Sequence, residues 1–144
     1  MVEDNPGDTF LLRHAFDHHT QDYQLDVLLD GAAAIRFVEE QREAVTPAPC
    51  VIVLDWHLPK HDGAAVLEAI RREPILAHVH VVALTTVSPK DELEMYRLGV
   101  RLHAPKPTEL DGWFTLACQI LEICRGSTTT KLATSSCDKV EGNS

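Results

Sequence analysis

The sequence predicts an α/β fold, a parallel sheet with helices on both faces, and three observations predict it. The first is an apolar, largely β-branched run, Val51 to Leu54, that ends in Asp55 and is followed by the turn-formers Pro59 and Gly63. So short a continuous run reads as a strand buried on both faces, as parallel sheets require. The second is alternation: five strand-like segments are separated by segments with apolar residues at helical spacing, the pattern of repeated crossovers. The third is where chemistry-bearing residues fall. Glu3-Asp4, Asp55, Thr85-Thr86 and Lys106 each stand at the carboxyl end of a candidate strand, the edge where such sheets place their sites.

The elements follow in order. Met1 and Val2 are all that precede the first acidic pair. Asn5 followed by Pro6 favours a helix start, and Leu11, Leu12, Ala15 and Phe16 then share one face. His14 and His18 have i, i+4 spacing but lack an acidic or Cys partner, so they read as a solvated face and not a metal site. Tyr23 to Leu29 alternates apolar and polar residues and predicts a second strand; Asp30-Gly31 breaks it and leads into a helix over Ala32 to about Ala44. After the Asp55 strand, Ala64 to Glu73 predicts a helix with Val66, Leu67 and Ile70 inward, stopped at Pro74. Val79 to Leu84 is the fourth strand. Ser88-Pro89 opens a helix to about Leu98, and Gly99 suits its C′ position. Val100 to Ala104 is the fifth strand, and Pro105, which lacks a donor, suits an edge. The last helix starts near Thr108 and carries the stripe Trp113, Leu116, Ala117, Ile120, Leu121 and Cys124. Residues 1–125 thus read as one domain, and 126–144, rich in Ser and Thr without periodicity, as a disordered tail.

Composition narrows the function. A net charge of −9 argues against a nucleic-acid or anionic-membrane partner, both of which need basic patches. No apolar run reaches membrane-spanning length and no basic region precedes an apolar one at the start, so the cytoplasm is the expected compartment. Cys50, Cys118, Cys124 and Cys137 lack Cys-x-x-Cys spacing and read as small core residues or incidental thiols rather than a disulfide framework.

The converging residues have a chemistry of their own. Glu3, Asp4 and Asp55 would repel one another at one sheet edge unless a cation sat among them. An all-oxygen pocket suits Mg²⁺. Lys106 brings a charge on a long stem, and Thr85 a hydroxyl on the adjacent strand. A carboxylate nucleophile, a divalent cation and a Lys are the parts of an aspartyl-phosphate intermediate. Each alone has a plainer reading: a solvated acidic turn, a strand-end Thr, a surface Lys, an Asp capping the next helix. Their joint placement after four strands does not.

Val2-Glu3-Asp4-Asn5, Asp55-x-x-Leu58-Pro59-x-x-x-Gly63, Leu84-Thr85-Thr86 and Lys106-Pro107, in that order and spacing, resemble the receiver domain of two-component response regulators. The stretch Glu3 to Asp8 with Leu84-Thr85-Thr86 looks most like the stand-alone regulators paired with phytochrome-type histidine kinases. The resemblance implies a flavodoxin-like, doubly wound, five-stranded sheet of order 2-1-3-4-5 with its first strand truncated. It implies a phosphorelay protein that accepts a phosphoryl group on Asp55 from a histidine kinase. Asp4, Asp55 and the His57 backbone carbonyl would hold Mg²⁺, with Glu3 acting through water. Lys106, the Thr85 hydroxyl and the N–H groups of His57 and Thr86 would take the phosphoryl oxygens. Lys106-Pro107 would be a cis peptide. Thr85 and His103 would be the switch, changing a face of helix four, strand five and helix five that binds a downstream protein or a second copy of the chain. Such a protein catalyses only its own phosphorylation and dephosphorylation and is not otherwise an enzyme.

Four departures from the family pattern bear on this. The opening strand is nearly absent, which strips pairing from the sheet centre and reads as a trimmed start. His103 stands where Tyr or Phe is usual, Pro105 precedes the Lys, and Thr86 is larger than the usual residue. The short strand and His103 favour an alternative, a pseudo-receiver that binds protein without phosphorylation. An Asp-nucleophile phosphatase would carry an acid where His57 stands, and a flavin carrier would carry a phosphate loop after the first strand; the sequence has neither.

Overall fold

The computed structural model describes residues 1–20, 22–45, 47–60, 62–85, 88–100 and 102–126. Thr86 and the expected tail beyond Gly126 lie outside them. The element order is α1 (Pro6–His19), α2 (Gly31–Glu40), a 3₁₀ turn (Gln41–Glu43), β1 (Val51–Asp55), α3 (Gly63–Arg72), β2 (His80–Thr85), α4 (Pro89–Arg97), β3 (Leu102–Pro105) and α5 (Leu110–Gly126). This is the α/β alternation with parallel pairing that the sequence predicts, and the chain divides into two compact units.

The first unit comprises Met1–Pro6 and Asp26–Lys106. Its sheet runs β1-β2-β3, all parallel, with Val51 opposite His80, Asp55 opposite Leu84 and Thr85 opposite Pro105. β1 and β2 are buried almost throughout, which is why their sequences are continuous apolar runs. β3 is half-exposed and pairs only with β2 among the described strands, so Pro105 does occupy an edge. The core gathers Ile52, Leu54, Val66, Leu67, Ile70, Leu76, Val81, Ala83 and Met95.

The expected second strand, Tyr23 to Leu29, does not form as a strand. Leu28 makes a single parallel bridge to Val2, and Val2 a second to Leu54. The physical reason is pairing: among the described residues the segment meets one bridge partner, Val2, and alternation without a partner strand does not make a strand. Tyr23 instead donates its hydroxyl to Asp17 at 2.6 Å and packs its ring against Phe16 at 5.1 Å.

Helix boundaries follow local chemistry. Asp30 Oδ1 accepts the Ala33 N–H at 2.7 Å and caps α2; Asp62 Oδ1 accepts the Ala65 N–H at 3.0 Å and caps α3. With Asp62 in that role, Asp55 is not a helix cap. Ser88 caps α4, and Gly99 takes φ +73 beyond its end, where a side chain would be strained. Arg71 on α3 donates to the carbonyls of Ala77, Val79, Leu98 and Gly99 at 2.9–3.4 Å, fastening the end of α4. Arg42 bonds the buried Glu73 at 2.6 Å.

The second unit holds Gly7–Leu25 and the described residues from Pro107 onward. Leu12, Ala15 and Phe16 of α1 are buried, as are Trp113, Leu116, Ala117, Ile120 and Leu121 of α5, the stripes that helical spacing predicts. His18 stacks on Phe114 with ring centres 4.6 Å apart and His14 lies 6.0 Å from it, which makes them packing residues.

Two expectations need correction. No peptide bond among the described residues is cis, the Lys106–Pro107 bond included. Cys50, Cys118 and Cys124 are disulfide-bonded, and no described cysteine is a free thiol. Local spacing does not reveal such pairings, because they are set by tertiary proximity.

Candidate functional site

The site forms at the carboxyl edge of the sheet within the first unit. Asp55 ends β1, 4% exposed, and its N–H is used by the Val2 carbonyl at 3.0 Å. Because Val2 pairs beside Leu54, the next residues, Glu3 and Asp4, arrive beside Asp55. One carboxylate oxygen from each of the three lies within 4.8 Å of the others, the one group of this kind among the described residues. Glu3 is fully buried and Asp4 exposed.

Lys106, just past β3, balances part of this charge. Its Nζ donates to Glu3 Oε1 at 2.8 Å and to Asp55 Oδ2 at 3.3 Å. Asp55 Oδ1 accepts the His57 N–H at 3.1 Å. Burial pushes the Glu3 carboxyl up from 4.5 to about 7, against the pull of the Lys106 hydrogen bond and with a further push from the Asp55 charge. Two buried oxygens at the site, Glu3 Oε2 and Thr85 Oγ1, have no hydrogen-bond partner among the described residues. Buried polar atoms are rarely left so, and both mark places where a ligand would be welcome.

The donor set fits a hard divalent cation. Three carboxylates against one ammonium leave an excess of negative charge, all ligands are oxygens, and an orphaned carboxylate oxygen is already buried there. Mg²⁺ and Mn²⁺ both suit such a set.

The structure therefore brings Glu3, Asp4, Asp55, His57 and Lys106 together and puts the Thr85 hydroxyl at the end of the strand beside β1. Thr86 lies outside the described residues. His103, on β3 opposite Ala83, is exposed. The sequence reading missed three neighbours. Asp91 Oδ2 lies 3.6 Å from His57 Nε2. Lys60 pairs with Asp30 at 3.3 Å while its backbone takes φ +69. Gly63 donates to the Trp56 carbonyl at 2.9 Å. In the sequence Gly63 stands out as a turn-former and as part of the receiver-like motif, and Asp30 as a strand breaker; a Cβ at Gly63 would meet Trp56 Cα at 2.8 Å, so close approach is what the position demands.

A parallel α/β sheet with an acidic cluster, a Lys and a buried hydroxyl at its carboxyl edge places oxygen ligands and a cationic donor where such sheets bind their ligands. The chain belongs to the response regulator receiver domain family, whose model matches residues 1–115. Response regulator Rcp1 of Synechocystis sp. is 36% identical over 118 residues, 81% of this chain and 80% of that protein. The structure of Rcp1 in its Mn²⁺-bound form superposes with a TM-score of 0.73, 35% identity, and coverage of 90% and 94% of the two chains. The phosphorylated cyanobacterial phytochrome response regulator RcpA gives a TM-score of 0.76 at 30% identity, covering 89% and 93%. The bacteriophytochrome response regulator AtBRR gives 0.66 at 32%, covering 85% and 89%. The chain is thus a two-component receiver related to phytochrome response regulators, a family that typically takes up Mg²⁺ and a phosphoryl group and is not a conventional enzyme. Among the described residues, no helix is long and apolar enough to cross a membrane.

Proposed function

We propose that the chain is a single-domain response regulator that takes a phosphoryl group on Asp55 from a histidine kinase, of the phytochrome type its relatives suggest. The observation that carries this reading is the bridging position of Lys106, between Glu3 Oε1 and Asp55 Oδ2, beside three converging carboxylates. An Asp55 oxygen attacks the phosphorus of the kinase phosphohistidine. The new O–P bond forms as the N–P bond breaks, and the electron pair leaves on the imidazole nitrogen. Lys106 Nζ, held at the acceptor, transfers its hydrogen bond to a phosphoryl oxygen, and the His57 N–H faces a second. Thr85 Oγ1, now without a partner, gains one when the phosphoryl group arrives. Asp4, Asp55 and the His57 carbonyl would hold Mg²⁺, with Glu3 in the surrounding shell, and the ion would supply charge neutralisation during transfer. In the same reading Thr86 supplies a second backbone donor and His103 takes part in the switch.

The two bridges of Val2 are, in this reading, what stands for the first strand, between the second and third, in a five-stranded order 2-1-3-4-5. The signal leaves through α4 and β3 as a shift of population between two arrangements, the output typical of such switches.

Intact-mass analysis after incubation with acetyl phosphate and Mg²⁺, with Asp55→Asn alongside, tests the assignment. One phosphoryl adduct is expected on the parent and none on the variant or without Mg²⁺. A folded parent that never gains the adduct would favour the contact-only module, the reading toward which His103 at the switch position leans.

A further inference from the structure

The loop from β1 to α3 carries both the acceptor and its nearest backbone groups, and its far end is well fixed. Gly31 N–H reaches the Pro59 carbonyl at 3.4 Å, and Lys60 pairs with Asp30 at the start of α2. The near end, at His57, is where the chemistry lies. The His57 N–H donates to Asp55 Oδ1 at 3.1 Å, and its side chain points to α4.

What it meets there is Asp91. Ser88 Oγ accepts the Asp91 N–H at 3.3 Å and donates to Asp91 Oδ2 at 2.8 Å. In the usual capping box an acid at this position reaches back to the N–H of the cap residue. Here Oδ2 lies 3.6 Å from His57 Nε2. The Asp91 side chain is 18% exposed and held by Ser88, while the His57 side chain is 55% exposed, so the carboxylate is the better-anchored member of the pair. One residue therefore touches the acceptor with its backbone and α4 with its ring.

The geometry points to Asp91 as a positioning residue: through His57 it ties the acceptor loop to the start of α4. It thereby holds the His57 N–H and carbonyl in place at Asp55. Partners of this outer kind fix the groups that touch the ligand, and losing one loosens the site without removing a ligand. The phosphoryl side of the inference rests on Asp55 being the acceptor; the cation side does not.

The test is a double-mutant cycle on Asp91→Ala and His57→Ala, with two readouts. One is Mn²⁺ affinity, from the electron paramagnetic signal of the free ion. The other is the rate of adduct formation from acetyl phosphate. Asp91→Ala is expected to weaken Mn²⁺ binding and slow the adduct about tenfold, the low end for outer-shell losses, with half-saturation by acetyl phosphate unchanged. His57→Ala is expected to do the same, and the double variant to do no worse than either. Asp91→Asn keeps volume and an acceptor oxygen, so it is expected to recover part of the loss; it also carries the comparison should Asp91→Ala unfold. Unchanged Mn²⁺ affinity in Asp91→Ala overturns the inference. So do losses that multiply in the double variant, because Asp91 would then act only on its own helix. If the parent never forms the adduct, the acceptor assignment fails, while the Mn²⁺ cycle alone still decides whether the tether exists.

Discussion

The raised pKa of Glu3 makes the cation-free protein sensitive to pH in an unusual direction. The carboxyl is fully buried and pushed from 4.5 to about 7, chiefly by burial. A group whose pKa rises on folding stabilises fully below its unfolded value, and that contribution is lost as pH climbs through its folded value. The window therefore runs from 4.5 to about 7. A shift of that size corresponds to about 3 kcal/mol at 1.36 kcal/mol per pKa unit. That is a large share of the roughly 5–15 kcal/mol that holds a domain together. Glu3→Gln keeps the shape and removes the titration. Urea unfolding in chelator, at about pH 5 and about pH 8, should show the parent losing up to about 3 kcal/mol more than the variant between the two. Saturating Mg²⁺ should abolish most of the difference, because the cation takes the place of the proton. Parallel behaviour of parent and variant in chelator would refute the argument and return Glu3 to an ordinary, ionised partner of Lys106.

Three further outcomes are expected. Gly63→Ala places a Cβ 2.8 Å from Trp56 Cα and 2.9 Å from its carbonyl oxygen; backbone cannot step aside, so a loss of about 2 kcal/mol is expected in urea unfolding, with altered Trp56 fluorescence. Thr85→Val replaces a buried hydroxyl that has no partner, so stability should rise by about 1 kcal/mol while adduct formation from acetyl phosphate slows. Arg71→Met keeps the stem but deletes the bonds to four carbonyls; a loss of about 3 kcal/mol is expected, with faster amide hydrogen exchange at the end of α4.

What was legible in the sequence was what depends on neighbours along the chain. Val51–Asp55 could be read because a buried parallel strand leaves a continuous apolar run, α3 and α5 because their inward faces recur at helical spacing, and α4 because Ser88-Pro89 and Gly99 mark its ends. Glu3, Asp55 and Lys106 could be placed because strand ends in such a sheet converge on one edge. The rest depends on who meets whom. Asp91 is read from sequence only as an acid in the first turn of a helix, since nothing local says that His57 lies across from it. Arg71 looks like one more charged residue at a helix end until folding gathers four carbonyls around it. The segment from Tyr23 to Leu29 has the right alternation for a strand and still is not one, because a strand needs a partner and alternation does not supply it.

That missing partner also shows how little strand the site requires. Val2 donates to the Val53 carbonyl at 2.7 Å and accepts from Asp55 at 3.0 Å; on its other side Glu3 donates to Leu28 and Leu28 to Met1, both at 2.9 Å. Four backbone bonds thus hold a stretch of three residues between two neighbours, and Val2 itself is 2% exposed. Side chains alternate faces along an extended chain, so fixing Val2 in the core turns Glu3 to the opposite face, while Asp4 follows at a bend where the chain leaves the pairing. Glu3 is directed into the buried side of the site, toward Lys106, and Asp4 stands exposed. A slip of one residue would put Asp4 where Glu3 stands and Glu3 where Val2 stands, burying Asp4 and removing Glu3 from Lys106. The register that assembles the acidic cluster is thus held by the four backbone bonds that Met1, Val2 and Glu3 make with the segments on either side.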